Sequence, residues 1–203
     1  MAVAPIGRNV RIYDVSESLE LVRSFFATNK DSGELAKRIQ SRDYFDRIAW
    51  EQVSVCQESP GPVRDEEILL RQIVNPVHFD LDSDEIKPNL FEDIVSRGAS
   101  THRKQHTTDE KILDIARERV ELQNKNPPRT GIRTLIGHVS LSVSVVRMMS
   151  VDVETLREKR LLAIYDTANE KDPSHADICL LHRQKQVELS VKSQLTLRKT
   201  EMD

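Results

Sequence analysis

The sequence predicts an α+β fold for a single domain, with N-terminal helices, a central irregular segment and helix, and a C-terminal antiparallel sheet. Two kinds of periodicity support this class. Apolar residues recur at helical spacing in the first quarter of the chain and again after residue 107, whereas they alternate with serines at 138–147. With 203 residues, the chain is long enough for one hydrophobic core. We therefore expect a helical N-terminal part at 1–60, suited to an adaptor role, and an α+β core at 61–203.

The first quarter of the chain predicts three helices. Residues 14–28 place apolar side chains on one stripe, and Asp14 begins a capping-box pattern. A second helix is expected at 31–41, where Asp31 repeats the cap pattern, and a third at 43–52. Basic residues on these helices are interspersed with acidic ones, which favours an ordinary solvated surface over one that faces phosphate.

The next part of the chain mixes strand signals with residues that break regular structure. Residues 53–57 alternate like a short strand, and 58–67 form a loop that contains two prolines and a glycine. The apolar run at 68–74 is either a buried strand or a helical turn, because the pattern is too short to separate the two.

The central segment, residues 73–106, concentrates reactive and charged side chains. Within it, a cluster of apolar residues predicts a short helix that begins near Pro88 and ends near Gly98. Since Phe91 lies on the apolar side of that helix, we expect the segment to be an ordered connection anchored to the core.

The C-terminal half predicts one long helix and a sheet. A capping box at Thr107 begins a helix that runs to about residue 125, where two prolines follow. Residues 138–147 alternate as a half-buried strand, and the runs 161–166 and 176–181 have strand composition. We expect these three runs to form the antiparallel sheet.

Composition excludes several classes of protein. A net charge of −3 argues against a nucleic-acid binder that works by bulk charge, and no window has the roughly 20 apolar residues of a membrane span. The two cysteines, Cys56 and Cys179, are far apart and predict reduced thiols rather than a disulfide framework. No Walker loop, GxGxxG, HExxH or GxSxG motif is present. We therefore expect a cytoplasmic protein without a membrane anchor and without a recognisable cofactor.

Spaced carboxylates in the central segment invite a metal-site interpretation. Asp80, Asp82 and Asp84 match the start of a calcium loop, but Glu85 stands where the loop needs glycine and Phe91 where it needs glutamate. We therefore predict a solvated acidic turn and no metal site.

Histidines and arginines of the same segment are candidates for anion recognition or acid–base chemistry. His78 and Asp80 lie on one side of an extended chain, where a carboxylate can fix the imidazole tautomer, although a structural histidine is the commoner outcome. Arg97, His102 and Arg103 form a basic cluster that either binds a phosphate or acidic partner or neutralises the nearby acidic run. His102 and His106 are expected in a loop.

Four short segments resemble a family of small uncharacterised bacterial proteins with I-x-P-x-H and P-x-H-A motifs. They are NPVHF at 75–79, IKPNLFED at 86–93, SRGASTHR at 96–103 and DPSHADI at 172–178. The chain departs from that pattern at Asn89 and Ala99. The resemblance implies no activity. It implies that His78, His175 and Arg103 are the positions to examine.

Two functional hypotheses follow. The first is a non-enzymatic subunit or adaptor that binds a larger protein in a bacterial complex, for example in phage defence or nucleic-acid processing. The second is an enzyme for a phosphate-containing substrate, with His78 and His175 as an acid–base pair and Arg97 or Arg103 holding the anion. The basic tail at 183–199, either a strand or a frayed helix, is a candidate nucleic-acid contact.

Overall fold

The computed structural model describes residues 15–29, 32–127, 131–153, 156–182 and 184–200. Its helices are α1 (Val15–Asn29), α2 (Leu35–Gln40), α3 (Tyr44–Ala49), α4 (Asp109–Lys125), α5 (Val143–Met148) and α6 (Lys185–Thr200). Its strands are β1 (Ile68–Asn75), β2 (Phe79–Asp80), β3 (Glu85–Ile86), β4 (Ala99–Arg103), β5 (Thr134–Ser142), β6 (Ser150–Val153), β7 (Leu156–Arg160), β8 (Leu162–Asp166) and β9 (His175–Leu180). Short 3₁₀ helices cover Trp50–Gln52, Pro88–Val95 and Lys104–His106. The predicted α+β class is confirmed.

The main sheet is antiparallel, with five strands in the order β5-β1-β4-β9-β8. The run at 68–74, left undecided by its pattern, is strand β1, which pairs with β5 over eight positions. Two of the five strands come from the middle of the chain rather than from its C-terminal third. The three predicted C-terminal runs do share this sheet, but β1 and β4 separate β5 from β9.

Two strand predictions need correction. Residues 53–57 form no strand, and the run at 138–147 leaves the sheet at Ser142 and continues as helix α5. The alternation stops because Val143 and Val146, three residues apart, both turn into the core. The main-chain N–H of Val143 donates to the carbonyl of Glu67, which holds the start of α5 against the preceding loop.

The N-terminal helices pack on one face of the sheet, and a second apolar cluster fills the other face. Phe26 on α1 contacts Tyr165 on β8 at 5.4 Å between ring centroids, within a cluster that also contains Trp50 and Cys179. The opposite cluster joins the sheet to α5, α6 and the 3₁₀ helix Pro88–Val95. The helical part at 15–60 thus shares its core with the rest of the chain. The predicted caps at Asp14 and Asp31 lie outside the described residues.

Buried Glu51 fastens the N-terminal helices to the edge of the sheet. Its carboxylate accepts hydrogen bonds from the main-chain N–H of Ile164 at 2.7 Å and from Arg160 at 2.8 Å, and it contacts Arg147 at 3.2 Å. Because the carboxylate has these partners, its burial does not leave an uncompensated charge.

The predicted helical segment is present over Pro88–Val95 and begins at Pro88 as expected, but it is 3₁₀ rather than α and is kinked at Phe91, where φ is −110° and ψ is 24°. Leu90, Phe91 and Ile94 are fully buried, so the central segment is anchored to the core. The helix is followed by Gly98 at φ +86°, where a Cβ would lie 3.1 Å from side-chain atoms of Asp177. Both the backbone angle and the close approach require glycine there.

The two long helices after the central segment follow their predicted apolar stripes. Helix α4 begins one residue later than predicted, because Thr108, not Thr107, accepts a hydrogen bond from the main-chain N–H of Lys111. The tail is a helix rather than a strand, with Val187, Val191 and Leu195 buried at four-residue spacing. Within the described ranges, no helix combines the length and the apolar composition needed to cross a membrane.

Replacement of Phe91 by alanine tests the anchoring of the central segment. The side chain is 1% exposed, so Phe91→Ala should lower the free energy of unfolding by about 3–5 kcal/mol. Urea denaturation of both proteins measures the difference. Phe45→Ala is the matched control, because that ring is 79% exposed and should cost well under 1 kcal/mol. Equal losses for the two variants would contradict the anchoring role.

Candidate functional site

The sheet is forked between β1 and β4, its second and third strands. β1 and β4 pair at Leu69 with Arg103 and at Leu70 with His102, and beyond these two positions the described residues of the strands no longer pair. β1 instead continues along β5 as far as Asn75, while β4 continues along β9. The fork is therefore an opening in the middle of the sheet, bordered by the 3₁₀ helix Pro88–Val95 and by α4.

Arg71 fills the closed end of this fork. Its guanidinium donates to the carbonyl oxygens of Leu90 at 2.8 Å and Ser100 at 2.9 Å, and to the carboxylate of Asp93 at 3.2 Å. Burial lowers the pKa of Arg71, and the negative charge of Asp93 counteracts that effect. The carbonyl of Ser100 on β4 thus accepts its hydrogen bond from Arg71. In a continuous sheet a main-chain N–H of the neighbouring strand would donate that bond.

A cleft of about 360 Å³, which we call the fork cleft, opens beside Arg71. One wall comes from α4, a second from the turn after β1, and a third from the 3₁₀ helix Pro88–Val95 and the residues after it. Its polar lining consists of Arg71, Gln72, His78, Asp93, Arg97, Ser100, Arg119, Gln123 and Arg133. Such a volume is typical of small-molecule sites.

Charge in the fork cleft is strongly positive. Four of its lining residues are arginines and one is a carboxylate, Asp93. Asp93 is already engaged, because it accepts from Arg71 and from the Nε of Arg97 at 2.9 Å. Arg97 is 64% exposed and Arg119 is exposed on α4, so both guanidinium groups have donors available to solvent. The cleft can therefore accept an anion.

Arg133 contributes a buried donor to the same cleft. The main-chain N–H of Arg133 donates to the side-chain oxygen of Asn124, and the main-chain carbonyl of Arg133 accepts from the side-chain amide of Asn124, both at 2.8 Å. One Nη of Arg133 donates to Gln123. The Nε of Arg133 is buried and has no hydrogen-bond partner among the described residues. An unpaired buried donor costs about 1–3 kcal/mol, which the rest of the fold must offset.

His78 is held as a neutral imidazole at the cleft wall. The main-chain N–H of Val74 donates to its Nδ1 at 3.3 Å, so the ring proton lies on Nε2. Burial, followed by the positive charge of Arg71, lowers the pKa of His78 to about 4. At neutral pH the ring therefore offers an N–H donor without adding a charge.

The predicted partner of His78 lies in a different part of the sheet. His175 is on β9 opposite His102, and a rise of about 3.3 Å per residue places its backbone on the order of 15 Å from that of Val74, whose N–H bonds the His78 ring. The two histidines cannot share a proton or a small substrate. His175 instead contacts the hydroxyl of Thr167 at 2.8 Å, and this hydroxyl donates to Asp177 at 2.8 Å.

His102 is buried behind the fork cleft and is not in the predicted loop. The amide of Gln72 donates to its Nε2 at 3.0 Å, which leaves the proton on Nδ1, 3.0 Å from Asp172. Burial alone would raise the pKa of Asp172, but the contacts with His102 and Ser174 hold it well below its usual range. His106 lies in the 3₁₀ helix Lys104–His106, also outside a loop.

Arg103 has a structural role in this arrangement. It points to the opposite face of β4 from His102, where it forms two hydrogen bonds with Glu67, at 2.7 and 2.6 Å, and another with the carbonyl of Gly61 at 2.6 Å. Burial alone would raise the pKa of Glu67, but the bonds from Arg103 lower it. Arg103 thus ties the 58–67 loop to β4, and it does not line the fork cleft.

The acidic run lies at the tip of the β2–β3 hairpin. Asp80 accepts from the main-chain N–H of Asp82 at 3.0 Å and lies 4.0 Å from Lys87, while Asp84 has φ 55° in the tight turn. In the described part of the chain, histidine, cysteine and carboxylate side chains form no group of three that could hold a metal ion.

Two of the lining residues, His78 and Arg97, are predicted from the sequence, whereas Arg71, Arg119 and Arg133 are not. One signal for Arg71 was present, since a charged residue inside the apolar run ILLRQIV must find partners if the run is a buried strand. The residues around Arg119 and Arg133 form no sequence pattern that predicts a place for either arginine in a binding site. They reach the cleft only because α4 and β5 pack together.

Comparisons of the chain with protein-family models, curated proteins and solved structures find no match. The bacterial family resemblance therefore rests on short motifs alone. The three positions that it emphasises, His78, His175 and Arg103, lie in three separate environments in the structure.

The depressed pKa of His78 predicts a pH dependence of stability. The unfolded chain binds a proton at this residue near pH 6.5 and the folded chain near pH 4, so stability falls as the pH is lowered between these values. This contribution is no more than about 3 kcal/mol, reduced by solvent screening. Urea denaturation of the wild type and of His78→Gln at pH 4 to 7 measures it. Parallel pH profiles for the two proteins would contradict a buried neutral His78.

Disruption of the Arg103–Glu67 pair tests the structural role of Arg103. Arg103→Met leaves a buried carboxylate without its cation and should cost about 3–5 kcal/mol of folding free energy. The double variant Arg103→Met/Glu67→Leu removes the orphaned charge and should recover a large part of the loss. Thermal and urea denaturation measure both. An unchanged melting curve for Arg103→Met would show that the pair does not hold the loop.

Proposed function

We propose that this protein binds a small phosphate-bearing ligand in the fork cleft. The observation that carries the proposal is the convergence of four arginines on one cleft of about 360 Å³ that contains a single carboxylate. Guanidinium groups match the geometry of phosphate oxygens with paired N–H donors. Exposed Arg97 and Arg119 support an anionic occupant, because their guanidinium groups have donors available to solvent.

The cleft suits a small molecule that carries more than a phosphate group. Val74, Val77, Ala116 and Val120 provide apolar surface beside the arginines. Gln123 and the neutral ring of His78 provide hydrogen-bonding groups without charge. Binding sites for small molecules combine apolar walls with a few such polar groups. We therefore place a phosphate among the arginines and the less polar body of the ligand against the valines.

The proposal is for binding rather than for the histidine-pair chemistry expected from the sequence. General acid–base catalysis needs both groups within hydrogen-bond reach of the reacting atoms. His78 and His175 do not meet this requirement, whereas Arg97 keeps the anion-binding role that the sequence analysis gave it. The two unpaired thiols, Cys56 and Cys179, agree with the cytoplasmic location that we propose.

A non-enzymatic subunit of a bacterial complex is the second candidate function. The observation that favours it is the exposure of two large apolar side chains on the N-terminal helices, Leu21 on α1 and Phe45 on α3. Helix α3 continues into the 3₁₀ helix whose Glu51 bonds the sheet edge, and α1 packs on the sheet through Phe26. Both exposed side chains therefore lie on helices that are anchored to the sheet. The proposed ligand site and a subunit role are compatible. Nucleic-acid contact through the 183–199 tail stays a prediction.

Isothermal titration with inorganic phosphate, pyrophosphate and a sugar phosphate tests the ligand proposal. We expect saturable binding that weakens with added salt, because the contacts are ionic. Arg97→Ala and Arg133→Ala each remove a charge-assisted contact and should weaken binding by about 10-fold or more. Arg38→Ala, an exposed arginine on α2 away from the cleft, is the matched control and should change nothing. Absence of binding at low salt, or equal weakening in the control, would contradict the proposal.

A further inference from the structure

Gln72 joins the fork cleft to a buried histidine behind it. Its side chain lines the cleft, whereas His102 does not. The amide nitrogen of Gln72 donates to Nε2 of His102 at 3.0 Å and lies 3.5 Å from the carbonyl oxygen of Ile112 on α4. Both contacts use the nitrogen edge of the amide, and Oε1 of Gln72 accepts no hydrogen bond from the described residues. The lone pairs of Oε1 are therefore turned away from His102, towards the cleft.

The other ring nitrogen of His102 faces a carboxylate. Nδ1 lies 3.0 Å from Oδ2 of Asp172, and the side chain of His102 is 4% exposed. Burial alone would raise the pKa of Asp172, but the contacts with His102 and Ser174 lower it, so the carboxylate is ionised at neutral pH. Nδ1 keeps its proton beside this negative charge. A second proton on His102 therefore has one place to bind, Nε2, which now accepts from Gln72.

Protonation of Nε2 would reverse the amide of Gln72. Two donors would then face each other at 3.0 Å, and a rotation of the terminal amide by about 180° puts Oε1 in place of the nitrogen. The same rotation turns the NH₂ group towards the cleft. A neutral His102 thus presents lone pairs of Gln72 to the cleft, and a charged His102 presents an N–H donor.

We infer that anion binding in the fork cleft takes up a proton at His102, and that the amide of Gln72 couples the two events. The inference rests on the ligand function proposed above. An anion repels Oε1 and accepts from NH₂, so it favours the amide orientation that requires a proton on Nε2. The proton comes from solvent, and Asp172 compensates the added charge. Because the coupling is reciprocal, a proton on His102 strengthens anion binding by the same factor.

Other ionisable groups lie near this pair. The ring of His175 on β9 is 6.1 Å from that of His102 between centroids, and Asp177 lies 3.9 Å beyond it. His138 on β5 is paired opposite Gln72. The side of α4 that faces the sheet carries no charge, since its buried residues are Ile112, Ala116 and Val120. Among the described residues, His102 is the histidine that bonds Gln72, which makes it the proton acceptor in this coupling.

Isothermal titration with sulfate tests the inference, because the charge of sulfate is constant between pH 5.5 and 8. A coupling of about 10-fold predicts that sulfate binds about 10-fold more tightly at pH 5.5 than at pH 8, with an uptake of up to about half a proton per sulfate. Buffers of different ionisation enthalpy give the number of protons. His78 also lines the cleft, but burial lowers its pKa to about 4, so it stays neutral in this range.

Replacement of Gln72 by methionine removes the amide but keeps a side chain of similar length. Gln72→Met should take up less than half as many protons per sulfate as the wild type. Gln123→Met is the matched control, because this glutamine lines the same cleft but bonds Arg133. Its proton uptake should persist whatever its affinity. A thermal melt confirms that each variant is folded. Equal uptake in Gln72→Met and the wild type would overturn the inference.

Nitrogen NMR of the histidine rings identifies the proton acceptor in the unmodified protein. On addition of sulfate, the Nε2 signal of His102 should move towards the shift of a protonated nitrogen, and His138→Gln identifies the signals of the neighbouring ring. A change at His138 in place of His102 overturns the inference. Sulfate that does not bind at low salt also overturns it. If pyrophosphate binds under those conditions, the proposed function stands without the coupling, and if neither anion binds, both fail.

Discussion

The architecture of this protein depends on the solvation of one guanidinium group. Arg71 lies in the middle of a strand whose other residues are mostly apolar, and an uncompensated charge there would cost several kcal/mol. Its partners are two main-chain carbonyls and Asp93, all on segments that follow β1 in sequence. Satisfying Arg71 therefore fixes the 3₁₀ helix Pro88–Val95 and the start of β4 relative to β1. It also occupies the space in which β1 and β4 would otherwise pair.

The forked sheet consists of two antiparallel parts, β5–β1 and β4–β9–β8, that meet at only two residue pairs. Polar contacts strengthen this short junction on both faces. Arg103 binds Glu67 on one face, and His102 connects Gln72 to Asp172 on the other. Since consecutive residues of a strand point to opposite faces, the dipeptide His102–Arg103 supplies both contacts. Two of the three residues in the predicted basic cluster, His102 and Arg103, therefore connect the two parts of the sheet.

Local pattern predicts the fold class and several of the longer elements, but it does not predict the strands β2, β3, β4, β6 and β7 or the helix α5. The helices at α1 and α4, the strands at β8 and β9, and the helix that starts at Pro88 were all recognisable, because their signals lie within a few residues. Strand order was not predictable, since it depends on contacts between residues far apart in sequence. The run at 138–147 was predicted as one strand, yet it turns into α5 where Val143 meets the core.

The candidate site was predictable only in part for the same reason. His78 and Arg97 were recognisable because they belong to one segment, whereas Arg71, Arg119 and Arg133 converge from a strand, a helix and the start of another strand. Pairing His78 with His175 relied on motif resemblance, and the strand register places the two rings far apart. Chemical type alone could not show which side of the sheet each residue faces.

Asp93 links the fold to the proposed ligand site. One of its oxygens accepts from buried Arg71 and the other from exposed Arg97. Arg71 is also held by the carbonyl oxygens of Leu90 and Ser100, whereas the side chain of Arg97 is 64% exposed and bonds only Asp93 among the contacts described above. Asp93 therefore belongs to both the fold and the cleft, because buried Arg71 is its structural partner and exposed Arg97 is the partner that the proposed anion would share.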